Sequence, residues 1–395
     1  MPSTPGNLLC VANFRTNAGY AWLFIESLYA AIADDVATYG VRTWVAYAKV
    51  NEPPATLEGS SAGAIELEVD FGSIRQLWRL LQVVRERNIR GLYLADRSVW
   101  HPAYALLRLA GVKFIVVHDH TSGNRTASRG LKAVAKRLAR RFRPGMADLV
   151  LAVSEFVRRR NLEVDLVPPD RLRLCLNSVE IPEQLQQTGE LRRVFGIRAD
   201  CLVVVCAGRA AEYKGVQHLL HAFDIVCERM RTPPVLIYFG DGPFMSELRK
   251  IRDGLHSQRS IILAGYRPNV SELLCGADLC VVPSVWGEAF GLSALEPSAR
   301  GIPVVASRVG GLPEIVVDRE TGRLVPPADV NALADVIVEL LQDDTARLAM
   351  GQRGRERAIE IFSRERQIRE LTRYFRDGLA VRKAGAGPVA IPAGK

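Results

Sequence analysis

The sequence predicts an α/β protein made of two doubly wound, Rossmann-like domains that face each other across a cleft. Three observations support this prediction. Short apolar runs alternate with longer amphipathic stretches along most of the 395 residues. The apolar runs are nearly continuous, as expected for parallel strands that are covered by helices on both faces. The alternation stops once, over the polar stretch 176–190, and then begins again.

The apolar runs before the polar stretch predict the first domain, 1–178. They lie at 7–14, 40–48, 91–95, 113–119 and 148–154. The segments between them, such as SIRQLWRLLQVVRERN, place apolar residues every three or four positions. That spacing is typical of amphipathic helices. We therefore expect an N-terminal domain in which helices cover a parallel sheet.

The apolar runs after the polar stretch predict a second domain of the same kind, 179–362. Their sequences are CLVVVCAGR, VLIYFGD, SIILAGY, DLCVVPS, IPVVAS and TGRLVPP. We expect the Arg-rich helical segment at 363–380 to pack back on the first domain, and 381–395 to be a disordered tail. Because ligands of such folds bind at the carboxyl ends of the strands, the residues that follow strands are the candidates for function.

The composition narrows the classes of partner. A net charge of +9 favours anionic partners such as a nucleotide, a phosphorylated acceptor or a membrane surface. The sequence has no RNA-binding motif and no zinc finger, so nucleic acid is not expected as a partner. Seven cysteines without a CxxC pair predict a reduced, cytoplasmic protein. We find no signal-peptide pattern and no apolar stretch long enough to span a membrane.

Two carboxylates stand eight positions apart in SVWGEAFGLSALEPSARG, at Glu288 and Glu296. A helix is predicted to begin near Gly291, which places Glu288 in the preceding loop and Glu296 inside the helix. The backbone amides of Phe290, Gly291 and Leu292 then lie at a helix N-terminus, where an anion or an oxygen-rich ligand can bind. One acid could hold a ribose and the other a sugar. Alternatively, both acids are ordinary solvated side chains.

Two cations follow the first strand of the second domain in CAGRAAEYKG. Arg209 stands at the strand end and Lys214 just before the next helix. They could neutralise a diphosphate, with the two acids across the same cleft. The alternative is a pair of ordinary surface cations. No GxGxxG follows the first strand of either domain, so a dinucleotide site is not predicted.

These motifs resemble those of a known family. GRAAEYKG, GDGP, the stretch from LAGYRPNV to GGLPEI, and TGRLVPPAD are similar to the retaining GT-B-fold glycosyltransferases of family 4. The resemblance is strong over about 202–328 and looser in the N-terminal half. It implies that Glu288 contacts the donor sugar and Glu296 the ribose, while Arg209 and Lys214 bind the diphosphate.

The resemblance also implies further donor contacts. The backbone over Phe290–Leu292 would support the sugar and phosphate, and the base would stack near Tyr266 and Arg267. Gly19 stands in the loop after the first strand, where members of the family often carry two glycines. Members also place a strand-end histidine near the sugar. The segment VVHDH offers both His118 and His120, and the sequence does not choose between them.

The activity implied by the resemblance is sugar transfer from a nucleotide-diphosphate sugar, by family habit a UDP-sugar, to a hydroxyl group. The acceptor would be a glycan, a lipid-linked glycan or a small molecule. No metal or other cofactor is expected, because Arg209 and Lys214 would take the place of a cation. The alternatives are a sugar-nucleotide epimerase of the same fold and an inactive scaffold that binds nucleotide sugars.

A basic segment in the first domain, NRTASRGLKAVAKRLARRFRP, carries eight Lys or Arg residues and no acid. Leu131, Val134, Leu138 and Phe142 recur every three or four positions and predict an apolar stripe. The helix, over Arg129–Arg143, could rest on anionic lipid at the inner face of the membrane. Alternatively, the stripe packs on the domain core and the basic face is solvated.

Overall fold

The protein contains two parallel sheets, joined by one connection and covered by helices. The structure is a computed structural model, and it describes residues 6–12, 14, 16, 20–126, 130, 134, 138, 141–183 and 189–379. All strand pairs within the two sheets are parallel. This architecture confirms the predicted pair of doubly wound domains.

The first sheet has the strand order β3-β2-β1-β4-β5-β6-β7. The order reverses between β1 and β4, and this switch point opens a crevice at the carboxyl ends of the strands. The seven strands are β1 (Asn7–Ala12), β2 (Thr43–Tyr47), β3 (Ala62–Glu66), β4 (Ile89–Ala95), β5 (Phe114–Asp119), β6 (Leu149–Ala152) and β7 (Leu172–Leu174).

Both faces of the first sheet are buried. Leu9 and Val11 of β1 belong to one hydrophobic cluster, and Leu8 and Cys10 belong to another, with none of the four exposed to solvent. This follows from the two-residue period of a strand. The helices that cover the sheet are α1 (Tyr20–Ala37), α2 (Ile74–Glu86), α3 (Ala103–Ala110) and α4 (Glu155–Glu163).

The second sheet has the strand order β10-β9-β8-β11-β12-β13, with the switch point between β8 and β11. Its strands are β8 (Val203–Ala207), β9 (Val235–Phe239), β10 (Ile261–Gly265), β11 (Leu279–Val282), β12 (Val304–Ser307) and β13 (Gly322–Val325). Its helices are α5 (Glu190–Phe195), α6 (Val216–Arg229), α7 (Met245–Asp253), α8 (Val270–Leu273), α9 (Leu292–Ala299), α10 (Leu312–Ile315), α11 (Val330–Gln342) and α12 (Asp344–Phe362).

The last described helix, α13 (Arg364–Gly378), lies against the first domain. Its Phe375 is fully buried, and the ring centroid is 5.0 Å from that of Tyr93 in β4. Arg376 donates to the hydroxyl of Tyr39 at 3.1 Å, just beyond α1. The chain therefore crosses between the domains twice.

The sequence missed two strands of the first sheet, β3 and β7, because AGAIE and LRL are too short and too weakly apolar to form a run. The six strands of the second sheet agree with the predicted runs. The predicted disordered tail, 381–395, lies outside the described residues, as does most of the basic segment. Among the described helices, none combines the length and the apolar character that crossing a membrane requires.

Candidate functional site

A lysine and a glutamate pair where the carboxyl ends of β8 and β11 meet. Lys214 ends a short 3-10 turn after β8, and its Nζ lies 2.6 Å from Glu288 Oε1. The hydroxyl of Ser284 donates to the same oxygen at 2.6 Å. A charge-assisted contact in a partly desolvated cleft is stronger than one in bulk water. Lys214 thus lies beside Glu288, and the expectation that it stands across the cleft from the acid is wrong.

A glycine makes this pairing possible. Gly215 follows Lys214 and has a φ of 70°, a backbone conformation that residues other than glycine rarely adopt. A Cβ atom at this position would lie 2.0 Å from the carbonyl oxygen of Pro283, which follows β11. The turn that carries Lys214 therefore packs directly on the loop that carries Glu288.

The predicted helix start is confirmed. α9 begins at Leu292, and Gly291 is its N-cap residue with a φ of 117°. Glu288 therefore lies in the loop, whereas Glu296 lies one turn inside the helix and is only 7% exposed. Phe290 is buried under the loop, with its ring 5.6 Å from that of Phe362. The start of α9 and Glu288 belong to the same strand-end cleft.

The other predicted donor residues follow strand ends of the same sheet. Arg209 is exposed in the loop after β8. This loop packs on the end of β9, since the amide of Ala210 donates to the carbonyl of Asp241 at 3.0 Å. Tyr266 directly follows β10 and is 59% exposed. The guanidinium carbon of Arg267 lies 5.9 Å from the ring centroid of Phe195. Exposure leaves these side chains accessible to a ligand.

The two histidines of the first domain have different surroundings. His118 lies within β5, has no exposed surface, and its Nδ1 is 2.6 Å from the hydroxyl of Tyr93. Burial holds its pKa well below the usual value, and the neighbouring His120 lowers it further. The buried, neutral His118 therefore belongs to the core beneath the cleft.

His120 directly follows β5 and reaches the strand-end edge. Its amide donates to Asp96 Oδ1 at 2.7 Å, and its Nδ1 lies 3.4 Å from Nδ2 of Asn177. Burial lowers the pKa of His120, although the charges of Asp96 and Asp119 act in the opposite direction. Its Nε2 is buried and has no hydrogen-bond partner among the described residues. Nε2 of His118 is also buried without such a partner, so the two histidines differ in exposure: His120 is partly exposed at the strand-end edge, whereas His118 has no exposed surface. His120 is therefore the better placed of the two to meet a ligand.

A polar cavity of about 260 Å³ opens beside His120 at the ends of β4 and β5. Its walls include Asp96, Asp119 and Arg125. Asp119 forms a buried ion pair with Arg160 at 3.0 Å and also accepts from Asn161 at 2.9 Å. Burial alone would raise the pKa of Asp119, but the Arg160 charge and these hydrogen bonds lower it below the usual range. The carboxylate therefore stays ionised.

The sequence did not identify Asp96, Asp119, Arg160 or Ser284. The only signal for them was their position next to strand ends, since Asp96 follows β4 and Asp119 ends β5. The partner of Asp119 lies 41 positions away in the chain, which no local pattern reveals. The predicted Gly19 lies outside the described residues.

One group of described side chains could hold a metal ion. Ligand atoms of Asp224, Glu228 and His256 all lie within 4.8 Å of one another. Asp224 lies eight residues along α6 from its first residue, Val216, which corresponds to about 12 Å. The group is therefore separate from the Lys214–Glu288 pair, and the expectation that the site needs no metal stays a prediction.

Two family models match the chain. The family model "Glycosyl transferases group 1" matches residues 187–357, and the model "Glycosyltransferase Family 4" matches residues 65–181. Together the two models cover most of both domains. The chain belongs to glycosyltransferase family 4. The resemblance seen in the sequence motifs is thereby confirmed.

Curated relatives match parts of this family 4 chain. N-acetyl-alpha-D-glucosaminyl L-malate synthase of Bacillus anthracis is 29% identical over 62% of the chain and 64% of the relative. D-inositol 3-phosphate glycosyltransferase of Corynebacterium efficiens is 38% identical over 48% of the chain and 47% of the relative. The chain thus spans between about half and two thirds of the length of these relatives.

Solved structures match the family 4 chain over nearly its whole length. A glycosyltransferase from Rickettsia africae has a TM-score of 0.76 at 18% identity, covering 95% of this chain and 98% of that one. Anabaena HepE, solved in complex with UDP and glucose, has a TM-score of 0.75 at 20% identity, covering 94% and 99%. These similarities show that the fold is the GT-B fold.

Proposed function

We propose that the protein transfers a sugar from a UDP-sugar to a hydroxyl acceptor, with retention of the anomeric configuration. The observation that carries this proposal is the Lys214–Glu288 pair at the strand ends of the second domain, beside the N-terminus of α9. Two comparisons support it: curated relatives are named glycosyltransferases, and Anabaena HepE was solved with UDP and glucose.

In this proposal the second domain binds the donor. Lys214 and Arg209 neutralise the diphosphate, and the first amides of α9 add partial positive charge. Glu296 accepts hydrogen bonds from the ribose, and Tyr266 and Arg267 contact the base. Glu288 Oε1 already accepts from Lys214 and Ser284. Its other oxygen is the one that would hold the hydroxyls of the donor sugar.

The chemistry we propose is electrostatic. As the bond between the anomeric carbon and the diphosphate breaks, negative charge grows on the leaving oxygen, and Lys214 and Arg209 stabilise it. The acceptor hydroxyl attacks from the same face, and the departing phosphate takes its proton. Glu288 orients the sugar and does not form a covalent bond. Because two side chains already supply positive charge, the proposal needs no metal or other cofactor.

The first domain would supply the acceptor side. His120 places a neutral imidazole at the cleft edge, where its Nε2 can bind a hydroxyl of the donor sugar. The adjacent cavity, with carboxylates and Arg125 in its walls, fits a polar, hydroxyl-rich acceptor such as a glycan or a small molecule. His118 supports this edge from below through Tyr93 rather than by touching the sugar.

A lipid-linked acceptor would fit a further proposal, that the protein works at the cytoplasmic face of an anionic membrane. Val134, Leu138 and Phe142 are 52%, 58% and 49% exposed. The alternative, in which this stripe packs on the core, requires them to be buried. Leu131, the fourth residue of the stripe, lies outside the described residues. Flotation with anionic and with neutral vesicles tests the proposal: we expect binding to anionic vesicles at low salt, and its absence contradicts the membrane role.

The experiment that tests the main proposal is a screen of UDP-, GDP- and ADP-sugars for release of the nucleoside diphosphate, with and without mixed acceptors. A transferase releases UDP faster when an acceptor is present. An epimerase converts the donor without an acceptor, and an inactive scaffold shows a rise in melting temperature without turnover. Either of the last two outcomes contradicts sugar transfer.

A further inference from the structure

The loop that carries Glu288 is hydrogen-bonded by both domains. The carbonyl of Gly287 accepts from the amide of Gly123 at 2.7 Å, and the carbonyl of Ala289 accepts from the hydroxyl of Ser154. Gly123 and Ser154 follow β5 and β6 of the first domain. Two carbonyls that flank Glu288 are therefore held from across the cleft.

A second acid, Glu314, connects the domains nearby. It lies in α10 of the second domain, and its carboxylate accepts from the amides of Glu155 at 2.7 Å and Phe156 at 2.8 Å. These are the first two residues of α4 in the first domain. Amides in the first turn of a helix have no partner within the helix, and the helix dipole favours a negative charge there. Glu314 therefore caps a helix of the other domain.

The segment before Glu314 lies directly against the Glu288 loop. The amide of Gly311 donates to the carbonyl of Glu288 at 2.9 Å. Gly310 has a φ of 56°, and a Cβ atom there would lie 2.2 Å from the same carbonyl oxygen. At the other end of this segment, the guanidinium of Arg357 donates to the carbonyl of Glu314 at 2.7 Å. The position of Glu314 is thus coupled to that of Glu288 through a short, tightly packed segment.

Ser154 completes the connection. It is fully buried, and its Oγ accepts from the amide of Val157 at 3.1 Å as the N-cap of α4. The same hydroxyl donates to Ala289. Glu314 and Ser154 therefore satisfy successive amides of one helix end, and that helix end contacts the Glu288 loop.

We propose that Glu314 is a positioning residue: by capping α4 from the other domain, it holds Ser154 on the loop that carries Glu288. The inference rests on the proposed function and deepens it. The donor-sugar side of the site reaches its working geometry only when the two domains are together. Lys214 and Arg209, the proposed diphosphate contacts, stand on the segment after β8 and not on the Glu288 loop, so we expect the binding of UDP to depend less on this cap than turnover does.

Hydrogen exchange tests the cap without any assay of activity. The amides of Glu155 and Phe156 should exchange slowly in the wild-type protein and at least about tenfold faster in Glu314→Ala, since that change removes the acceptor that they have among the described residues. Glu320→Ala, a change of an exposed acid on the same domain, is the matched control and should leave this peptide unchanged. Equal exchange in Glu314→Ala and wild type would overturn the cap.

Kinetics test the positioning role. We expect Glu314→Gln and Ser154→Ala each to lower kcat about tenfold while the Kd of UDP changes less than about twofold. Because both act through one helix end, the double variant should be about as slow as the slower single variant, rather than showing the product of the two effects. Wild-type kcat in Glu314→Gln would overturn the inference, whatever the result for Ser154→Ala.

A loss of UDP binding equal to the loss of kcat would also overturn it, since that result indicates general damage to the fold. The two proposals can fail separately. If wild-type protein transfers no sugar, the proposed function fails, and the exchange experiment still decides whether Glu314 caps α4. If wild-type protein is active and Glu314→Gln is equally active, only the positioning role fails.

Discussion

The two edges of the cleft are built differently. On the edge formed by the second domain, called the donor edge after its proposed ligand, Lys214 and Ser284 both contact Glu288, and the three residues follow two adjacent strand ends. On the acceptor edge, His120 depends on a wider network that includes Asp96 and Asn177, which come from distant parts of the chain. The difference shows that the proposed donor site is a compact cluster of charged and polar side chains, whereas the proposed acceptor site is held by contacts across the whole first domain.

The largest expected effect lies on the donor edge. Lys214→Ala removes a positive charge that is already positioned for the leaving diphosphate, so we expect kcat to fall by at least about 100-fold. The variant should remain folded, with an unchanged circular dichroism spectrum. Lys250→Ala, which removes an exposed lysine from the same domain, is the control and should keep full activity. Wild-type turnover in Lys214→Ala would show that this lysine does not stabilise the leaving diphosphate.

A smaller effect is expected on the acceptor edge, and it distinguishes the two histidines. His120→Ala should lower kcat by about 10-fold with little loss of stability, because one hydrogen bond to the sugar is lost. His118→Ala should instead lower the melting temperature, because it leaves a cavity and an unpaired hydroxyl on Tyr93. Kinetics and thermal denaturation of both variants check this. The reverse pattern would assign the site to His118.

The acceptor edge also contains the buried ion pair of Asp119 and Arg160, both almost fully buried. Arg160→Ala leaves an uncompensated charge, so we expect the free energy of unfolding to fall by about 3 kcal/mol. Urea denaturation measures it. The exposed pair of Arg198 and Asp200 offers a matched control, since Arg198→Ala should change stability little. Equal stability of the two variants would show that the network does not hold this edge.

The last prediction concerns the pH dependence of stability. The folded state keeps His118 and His120 neutral, whereas unfolded histidines bind protons below about pH 6.5. The unfolded state thus binds more protons there, and the free energy of unfolding should decrease as the pH falls, by about 1.4 kcal/mol per unit for each histidine. Asp96 and Glu314, whose pKa values burial raises, act in the opposite sense nearer pH 4, the ordinary range of carboxyl groups.

Urea titrations at pH 7.5 and 5.5 measure this dependence. The free energy of unfolding should be lower at pH 5.5 than at pH 7.5. The difference between the two pH values should be smaller in His118→Asn, which lacks one of the two histidines. Equal stability at both pH values would mean that these histidines are protonated in the folded protein, which their surroundings oppose.

The same contrast explains what the sequence could predict. The position of Lys214 and Glu288 at strand ends was predictable because each follows an apolar run and because Gly215 and Gly291 mark the local turns. The choice between His118 and His120 was not predictable, because it depends on where β5 ends. The strand ends at Asp119, so His118 lies within it and His120 follows it. The strands β3 and β7 were missed because they have few apolar residues and are held by their neighbours in the sheet.

The pairing of Lys214 with Glu288 shows a further limit of the sequence. Spacing placed both residues at strand ends, but only the close approach of Gly215 to Pro283 brings them side by side. The interdomain contact of Glu314 was equally invisible, since its partners are backbone amides 158 and 159 positions away. Backbone amides carry no signature in the sequence.

A crystal structure of the protein with a bound UDP-sugar tests the central claim most directly. The account predicts that the diphosphate contacts Lys214 and Arg209, with the sugar against the free oxygen of Glu288 and the ribose at Glu296. A nucleotide bound at any other place, with Lys214 and Glu288 still paired and untouched, would contradict it.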